Sequence, residues 1–126
     1  MKTKLTYTGI RVKDLDESVK FYTQVLGMKE IGRSTIDVAK GTAVNLVSED
    51  NGHPLELNYY EEGSPFAAKY EVGEGLDHLA FQVENLDQAL AEAKRAGHPV
   101  VKEIKTAASR WAYIADPNGI WIELFA

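Results

Sequence analysis

An internal duplication constrains the fold of this chain more than any other feature of its sequence. Residues 12–16 (VKDLD) resemble residues 83–87 (VENLD), and residues 51–57 (NGHPLEL) resemble residues 118–124 (NGIWIEL). A repeat of this kind indicates that one structural unit occurs twice. The first pair of matching segments lies early in each copy and the second pair lies late. The two pairs together therefore define the alignment of the two copies.

The duplication also predicts the domain organisation. A chain of 126 residues has the length of one domain. We expect that domain to span 1–126, with module one at about 5–60, a linker at about 61–75 and module two at about 76–126. The linker is rich in Glu and Gly, which is typical of a connecting segment.

The first copy has the periodicity of a strand, a helix and three further strands. Apolar residues alternate over 5–12, and helical spacing begins after Asp14, which with Glu17 has the spacing of a capping box. Gly27 is a typical helix stop. The predicted apolar face of the helix consists of Leu15, Val19, Tyr22, Val25 and Leu26, and later strands are predicted at about 29–37, 40–49 and 54–60.

The second copy repeats this order. Asn85 and Gln88 form the predicted helix cap and Gly97 the stop. An Asn-Gly pair, Asn51-Gly52 or Asn118-Gly119, predicts a hairpin turn before the last strand of each copy. The sequence thus predicts an α+β fold of two βαβββ modules, with eight strands and two main helices. In the second copy the helix face consists of Leu86, Leu90 and Ala93, and the later strands are predicted at about 99–105, 110–115 and 120–126.

Composition excludes several classes of function. The chain has no cysteine, which excludes disulfides, thiol catalysis and thiolate metal sites. Its formal net charge is −5 and its cations are scattered, so it lacks the basic surface that nucleic acids or anionic membranes require. No apolar run approaches the ~18 residues of a membrane span, and the N-terminal residues lack a signal-peptide core. We therefore expect a cytoplasmic protein whose partner is a small molecule.

Equivalent positions in the two copies carry residues that suit metal or acid–base chemistry. Glu56 aligns with Glu123 inside apolar strands, and Tyr7 aligns with His78. A carboxylate inside an apolar strand is unusual, because burial of its charge requires a cation or hydrogen-bond donors. The alternative is that strict alternation points the acids to solvent while their apolar neighbours form the core. Two acids and a histidine at related places favour the functional interpretation.

Four segments of the chain carry a resemblance to a known family. They are YTGIRVKDLDESVKFYTQVLGMKEI, LELNYY, LDHLAFQVENLDQAL and YIADPNGIWIEL. These segments resemble the glyoxalase/bleomycin resistance/dioxygenase group, the vicinal oxygen chelate (VOC) superfamily, and are nearest to its glyoxalase I-like members. The resemblance covers nearly the whole chain. It implies two βαβββ modules that form a cupped mixed β-sheet.

The resemblance further implies one divalent metal ion held by side chains of two modules. Carried over residue by residue, Glu56, His78 and Glu123 match three of the four ligands of glyoxalase I-like members. Tyr7 occupies the first position, where those members have His or Gln. A phenol must lose a proton to bind a metal well, so Tyr7 is either a weak ligand or a hydrogen-bond partner of bound water or substrate. The alternative is that Tyr7 is an aromatic residue that fills a strand position. The set suits Ni, Co, Zn, Mn or Fe without selecting one.

Two residues of the first copy are candidates for substrate binding. Arg11 matches an Arg that binds a substrate carboxylate in glutathione-using members, a task that suits a guanidinium fork. The alternative is that Arg11 is a solvated strand end. Tyr59 and Tyr60 stand near the place of an Asn that contacts glutathione in glyoxalase I-like members, and Tyr60 is the candidate there.

The second copy offers a group of pocket candidates. Arg110, Trp111 and Tyr113 are close in sequence and can line a pocket, although aromatic residues at strand spacing also serve simple packing. Two other histidines, His53 and His98, precede prolines in turn-like segments. We expect both at the surface.

These features predict a metal-dependent lyase or isomerase that moves a proton next to a carbonyl of a small oxygenated substrate or thiol adduct. Glu123 is the expected catalytic base, because it matches the catalytic Glu of glyoxalase I-like enzymes, and Glu56 is the second candidate. The alternative function is a metal-free protein of the bleomycin-resistance type that binds a small molecule such as an antibiotic. We expect a homodimer in which, by resemblance, Tyr7 and Glu56 of one chain meet His78 and Glu123 of the other; pairing within one chain is the alternative.

Overall fold

The computed structural model describes residues 2, 7–49, 51–67, 69–73, 76 and 78–126. The chain divides into two compact units, Met1–Tyr70 and Glu71–Ala126. The division falls inside the segment predicted as a linker. Within the described residues, no helix is long and apolar enough to cross a membrane.

Each unit contains a strand, a helix and three more strands in that order. The elements of the first unit are β1 Thr8–Arg11, α1 Leu15–Lys20 with a π-helical turn Phe21–Val25, β2 Lys29–Ile36, a 3₁₀ turn Asp37–Ala39, β3 Gly41–Ser48 and β4 Asn51–Tyr60. The elements of the second unit are β5 Leu79–Gln82, α2 Leu86–Arg95, β6 Lys102–Lys105, β7 Arg110–Ala115 and β8 Trp121–Phe125.

The two units have the same sheet topology. The strand order is β1-β4-β3-β2 in the first sheet and β5-β8-β7-β6 in the second. The first and last strands of each unit pair in parallel, whereas the other neighbours are antiparallel. The predicted α+β fold of two βαβββ modules with mixed sheets is therefore confirmed.

One face of each sheet forms the core with its own helix. Leu55 and Leu57 of β4 and Ile122 and Leu124 of β8 are buried, and α1 contacts β4 as α2 contacts β8. Because successive strand residues point to opposite faces, the residue between each pair lies on the side away from the helix. We call this side of each sheet the distal face.

The helix ends match their sequence signals. The Asp14 side chain accepts a hydrogen bond from Glu17 N at 2.9 Å, and Asn85 accepts one from Gln88 N at 3.0 Å. The helix stops, Gly27 and Gly97, have φ angles of +71° and +90°, which glycine adopts at little cost. The N-cap roles of Asp14 and Asn85 and both stop predictions are confirmed. The second half of the predicted capping box is not found among the described contacts, and Gln88 Nε2 donates to Glu92 instead, at 3.0 Å.

The first helix differs from its prediction in its last turn. The structure continues α1 as a π-helical turn, in which Leu26 N donates to Phe21 O at 3.2 Å. Phe21, the first residue of this turn, is buried beside Tyr22. Four residues of the predicted face, Leu15, Val19, Val25 and Leu26, are only half-buried. In α2, where the helix stays regular, Leu86, Leu90 and Ala93 are all buried as predicted.

The first hairpin turn was predicted two residues too late. Asn51 pairs with Ser48, so Asn51-Gly52 begins β4 instead of forming the turn. A connection of two residues, 49 and 50, closes the hairpin, and residue 50 lies outside the described residues. Two-residue connections are the commonest in hairpins, and here the pair between the strands lacks the Asn-Gly signature on which the prediction depended.

The second hairpin turn lies where Asn118-Gly119 predicted it. The buried Asp116 accepts hydrogen bonds at Oδ1 from Asn118 N and Ile120 N, each at 2.8 Å, and Asn118 Nδ2 donates to its Oδ2. Gly119 has a φ angle of +83°. This closed network fixes the turn and thereby the register of β7 against β8.

Candidate functional site

Glu123 lies at the centre of a polar cluster on the distal face of the second sheet. The register of β7 and β8 sets Tyr113 directly opposite Glu123, and the Tyr113 hydroxyl donates to Glu123 Oε2 at 2.9 Å. Trp111 Nε1 donates to the Tyr113 oxygen at 3.1 Å. His78 Nε2 lies 3.2 Å from Glu123 Oε2. We call these four residues the Glu123 cluster.

Aromatic rings enclose part of this cluster. The Tyr113 ring has its centroid 5.6 Å from that of His78, edge to face, and 5.3 Å from that of Trp121. The side chains of His78 and Glu123 keep 31% and 20% of their exposure. Glu123 is therefore shielded by rings but remains partly exposed. The predicted alternation is confirmed, because Ile122 and Leu124 are buried and Glu123 points away from the core, although it is not fully solvated.

The His78–Glu123 pair fits two neighbouring ligands of a divalent ion. Adjacent ligands of an ion at about 2.1 Å lie about 3 Å apart, close to the separation of His78 Nε2 and Glu123 Oε2. An imidazole nitrogen and a carboxylate oxygen are also the donors such ions prefer. In the described part of the chain, no three His, Cys, Asp or Glu side chains converge as a group that could hold a metal ion.

Glu56 occupies the equivalent place in the first unit. It pairs with Gly9 of β1 and with Asn45 of β3, and it is half-buried on the distal face. The Tyr7 ring lies over Gly9, with Cε2 3.8 Å from where a Cβ on Gly9 would stand, and Asn58 Nδ2 is 3.2 Å from the same point. Tyr7 and Glu56 thus share one sheet face.

Arg11 ends β1 beside aromatic and basic neighbours. Its guanidinium carbon is 5.8 Å from the Tyr70 ring centroid, and Lys13 Nζ is 5.2 Å from the same centroid. These distances are within the range of cation–π attraction. The segment predicted only as a linker therefore supplies a ring that orients Arg11.

Tyr60 closes the other end of β4. Its ring stacks on Phe66 with centroids 5.7 Å apart. A Cβ on Gly41, the residue opposite in β3, would stand 2.8 Å from Tyr60 Cδ1. The missing side chain of Gly41 makes room for the ring on the distal face, where Glu56 also lies.

The structure separates Arg110 from Trp111 and Tyr113. Consecutive strand residues point to opposite faces, and Arg110 lies on the helix side of the sheet, with Nε bonded to Glu103 and Nη1 2.6 Å from Asp87 Oδ1. The hydrogen bonds to Glu103 and then Asp87 raise the pKa of Arg110 above its ordinary value. The sequence analysis grouped Arg110 with the aromatic residues because they are close in sequence, but the structure places Arg110 on the other face of the sheet.

The two histidines expected at the surface are half-buried. His53 Nε2 lies 3.0 Å from Thr8 Oγ1, and His98 Nδ1 lies 3.1 Å from Ala115 O. The prediction of simple surface positions was wrong, because both rings pack against strand ends and make hydrogen bonds there.

Several site residues were not singled out by sequence reasoning. Trp121, Tyr70 and the two asparagines beside Glu56, Asn45 and Asn58, all line the candidate site regions described above. A signal for the asparagines was present. Asn58 is a polar residue two positions after Glu56 and so lies on the same face of the strand, and Asn45 is the polar residue opposite Glu56 in β3. Tyr70 had no such signal, since its contact with Arg11 joins residues far apart in sequence.

Comparison with known proteins gives a consistent result. A family model described as Glyoxalase/Bleomycin resistance protein/Dioxygenase superfamily matches residues 4–124. A probable lactoylglutathione lyase of Vibrio cholerae is 33% identical over 126 residues, covering 96% of this chain and 88% of that protein. A lactoylglutathione lyase of Escherichia coli O157:H7 is also 33% identical, with 96% of this chain and 90% of the relative covered.

Solved structures agree with the sequence relatives. The trypanothione-dependent glyoxalase I of Leishmania major matches with a TM-score of 0.77 at 31% identity, over 98% of this chain and 86% of that one. Glyoxalase I of Zea mays matches with a TM-score of 0.79 at 26% identity, over 97% of this chain and 44% of that one.

Proposed function

This chain belongs to the glyoxalase/bleomycin resistance protein/dioxygenase superfamily and is a glyoxalase I-like lyase, and we propose that it isomerises the adduct of a thiol and a small 2-oxo aldehyde. The observation that carries the proposal is the Glu123 cluster, in which a carboxylate stands beside an imidazole among aromatic rings. The names of the relatives support a lyase and do not favour the alternative of a metal-free binding protein.

Glu123 is the proposed base. It accepts the proton from the carbon that bears sulfur and returns it to the neighbouring carbonyl carbon, so the substrate is isomerised with no oxidant or reductant consumed. Proton transfer requires a base within hydrogen-bond reach of its target and partly shielded from water. The half-buried carboxylate of Glu123 meets the second requirement through the Tyr113 and Trp121 rings.

Glu56, His78 and Glu123 are the residues proposed to hold one divalent ion. Such an ion, when bound, supplies Lewis acidity toward the oxygens of the substrate. The fit of His78 and Glu123 as neighbouring donors supports this assignment. Tyr7, with 49% of its surface exposed next to Gly9, is proposed as the weak fourth partner. The identity of the ion, among Ni, Co, Zn, Mn and Fe, is open.

The substrate is proposed to carry a carboxylate on its thiol part. Arg11 is the proposed partner of that group, because its guanidinium sits over the Tyr70 ring with Lys13 beside it, which concentrates positive charge at one end of β1. Tyr60 and Trp111, which lie on the distal faces of the two sheets, are the proposed apolar contacts.

The proposal is tested with Glu123→Gln. The amide keeps the shape and can still accept the hydrogen bond from Tyr113, but it cannot take a proton, so kcat should fall by about 10²–10⁴-fold while the melting temperature is retained. Turnover is measured on the hemithioacetal of glutathione and methylglyoxal, with proton exchange followed in deuterated water. Glu84→Gln, an exposed acid outside the cluster, is the matched control.

Two results would contradict the proposed reaction. One is full activity of Glu123→Gln under conditions in which the control is also active. The other is a metal-loaded wild type that neither isomerises hemithioacetals nor exchanges the proton next to the carbonyl of a 2-oxo compound. The second result would favour the small-molecule binding protein.

A further inference from the structure

We infer that Tyr113 is a positioning residue that assigns different tasks to the two oxygens of Glu123. This inference rests on the proposed function of Glu123 as base. The Tyr113 hydroxyl donates a hydrogen bond to Oε2 of Glu123. Oε1 is thereby left as the oxygen that exchanges a proton with the substrate.

The hydrogen bonds around Tyr113 can run in only one direction. An indole N–H donates and never accepts, so Trp111 Nε1 must donate to the Tyr113 oxygen at 3.1 Å. The phenolic hydrogen is then directed at Glu123 Oε2, 2.9 Å away. An ionised carboxylate only accepts, so each donor in the chain from Trp111 to Glu123 has an acceptor.

The ring of Tyr113 is held in place independently of its hydroxyl. His78 packs edge to face on one side and Trp121 contacts the ring at 45°. Since these contacts are made by the ring, the position of the hydroxyl is set by packing rather than by its bond to Glu123. A hydroxyl placed in this way can restrain a carboxylate, because a mobile one would follow the carboxylate instead.

Both polar contacts of the carboxylate fall on the same oxygen. Among the described residues, Tyr113 and His78 both approach Oε2 of Glu123. With Oε2 engaged, rotation of the carboxylate would cost the bond from Tyr113, so the two oxygens do not exchange places. A base whose reactive atom is held within about 0.5 Å of its working position is more effective than a freely rotating one.

The duplicated fold contains an internal comparison. The residue opposite Glu56 in the first unit is Asn45, at the register position that Tyr113 holds opposite Glu123. Across the described residues, the Glu56 carboxylate has no hydrogen bond or ion pair. Among the contacts of the described residues, Glu123 is restrained and Glu56 is not, and this asymmetry assigns the base to Glu123 rather than to Glu56.

The inference is tested with Tyr113→Phe, which keeps the ring and removes only the hydroxyl. We expect kcat on the glutathione–methylglyoxal hemithioacetal to fall by about 10–100-fold, with KM changed by less than about 2-fold, because a restrained base acts on the reaction and not on substrate binding. Tyr59→Phe, which removes a phenol on the helix side of the first sheet, is the matched control and should keep wild-type kcat.

A double variant separates positioning from general damage. Trp111→Phe should lower kcat in the wild-type background, because the Tyr113 hydroxyl loses the donor that directs its hydrogen at Glu123. In the Tyr113→Phe background the same change should have no further effect on kcat beyond about 2-fold, since the bond it supports is gone; the loss of its proposed apolar contact with the substrate should appear in KM. Fully multiplicative losses would overturn the inference.

A measurement without turnover keeps this inference separable from the proposed reaction. Crystal structures of the wild type and Tyr113→Phe are compared at Glu123; we expect the carboxylate of the variant to rotate or to adopt a second rotamer. An unchanged single rotamer overturns the inference even if kcat falls. If the wild type shows no turnover, the proposed function fails, and the carboxylate comparison still decides the role of Tyr113.

Discussion

At the scale of single residues, Glu56 and Glu123 show that similar sequence context does not give similar environments. Both acids sit between buried aliphatic residues of a last strand, and both lie on a distal face. Glu123 has Tyr113 opposite and His78 beside it, whereas Glu56 has Asn45 opposite. The chemistry assigned to each acid follows from these neighbours.

The His78–Glu123 pair leads to a prediction about metal content. His78→Ala removes the imidazole donor, and loss of a ligand lowers metal affinity strongly. Elemental analysis of protein purified without chelator should find about one divalent ion per wild-type site and less than about a tenth of that in the variant. His98→Ala, which removes a histidine that follows α2, should keep the wild-type content.

The opposite result for the wild type would be informative. If the protein holds under about a tenth of an equivalent of any transition metal, and added Ni²⁺ or Zn²⁺ causes no thermal shift, the proposed ligand set is wrong. A metal-dependent reaction would then be excluded for this chain.

At the scale of elements, the two helices begin in the same way and end differently. Asp14 and Asn85 each accept one backbone N–H of the first turn. α2 stays regular to its glycine stop, whereas α1 passes into a π-helical turn that buries Phe21. Each helix covers the last strand of its unit, so its stability supports the strand that carries the acid.

Removal of either cap should destabilise the protein by a similar amount. Asp14→Ala and Asn85→Ala should each lower the free energy of unfolding by about 1 kcal/mol, because one backbone N–H loses its acceptor. Urea denaturation measures the loss, with Glu84→Ala, next to Asn85 but not a cap, as the control. Equal losses for the cap variants and the control would show that the caps do not contribute.

The whole molecule consists of two units that share one order of elements and one sheet topology. Each has its own mixed sheet, its own helix and its own buried face. The proposed ligands are divided between them, with Glu56 in the first unit and His78 and Glu123 in the second. The proposal that these three residues hold one ion therefore requires one first unit and one second unit.

We predict that this requirement is met in a homodimer. Two open sheets with half-buried distal faces need a partner surface, and a second copy of the chain supplies one. Light scattering at micromolar concentration should give twice the mass of the chain. A monomer that retains full activity would contradict the prediction and would place both halves of the site in one chain.

Local sequence patterns are sufficient to predict the order of the elements, the alignment of the two copies and the buried face of α2. These properties depend on local periodicity and on turn chemistry, as in α2, where Leu86, Leu90 and Ala93 are buried at helical spacing. Alternation likewise placed Glu56 and Glu123 on the face away from Leu57 and Leu124.

Which side chains come into contact depends on the tertiary structure and not on local sequence patterns. Tyr113 reaches Glu123 because the Asp116 network fixes the register of β7 against β8, and a shift of one residue would send Tyr113 to the other face. The same rule of alternation separates Arg110 from Trp111 although they are adjacent in sequence. Contacts between strands depend on register, and register is set by turns and packing that no single local pattern contains.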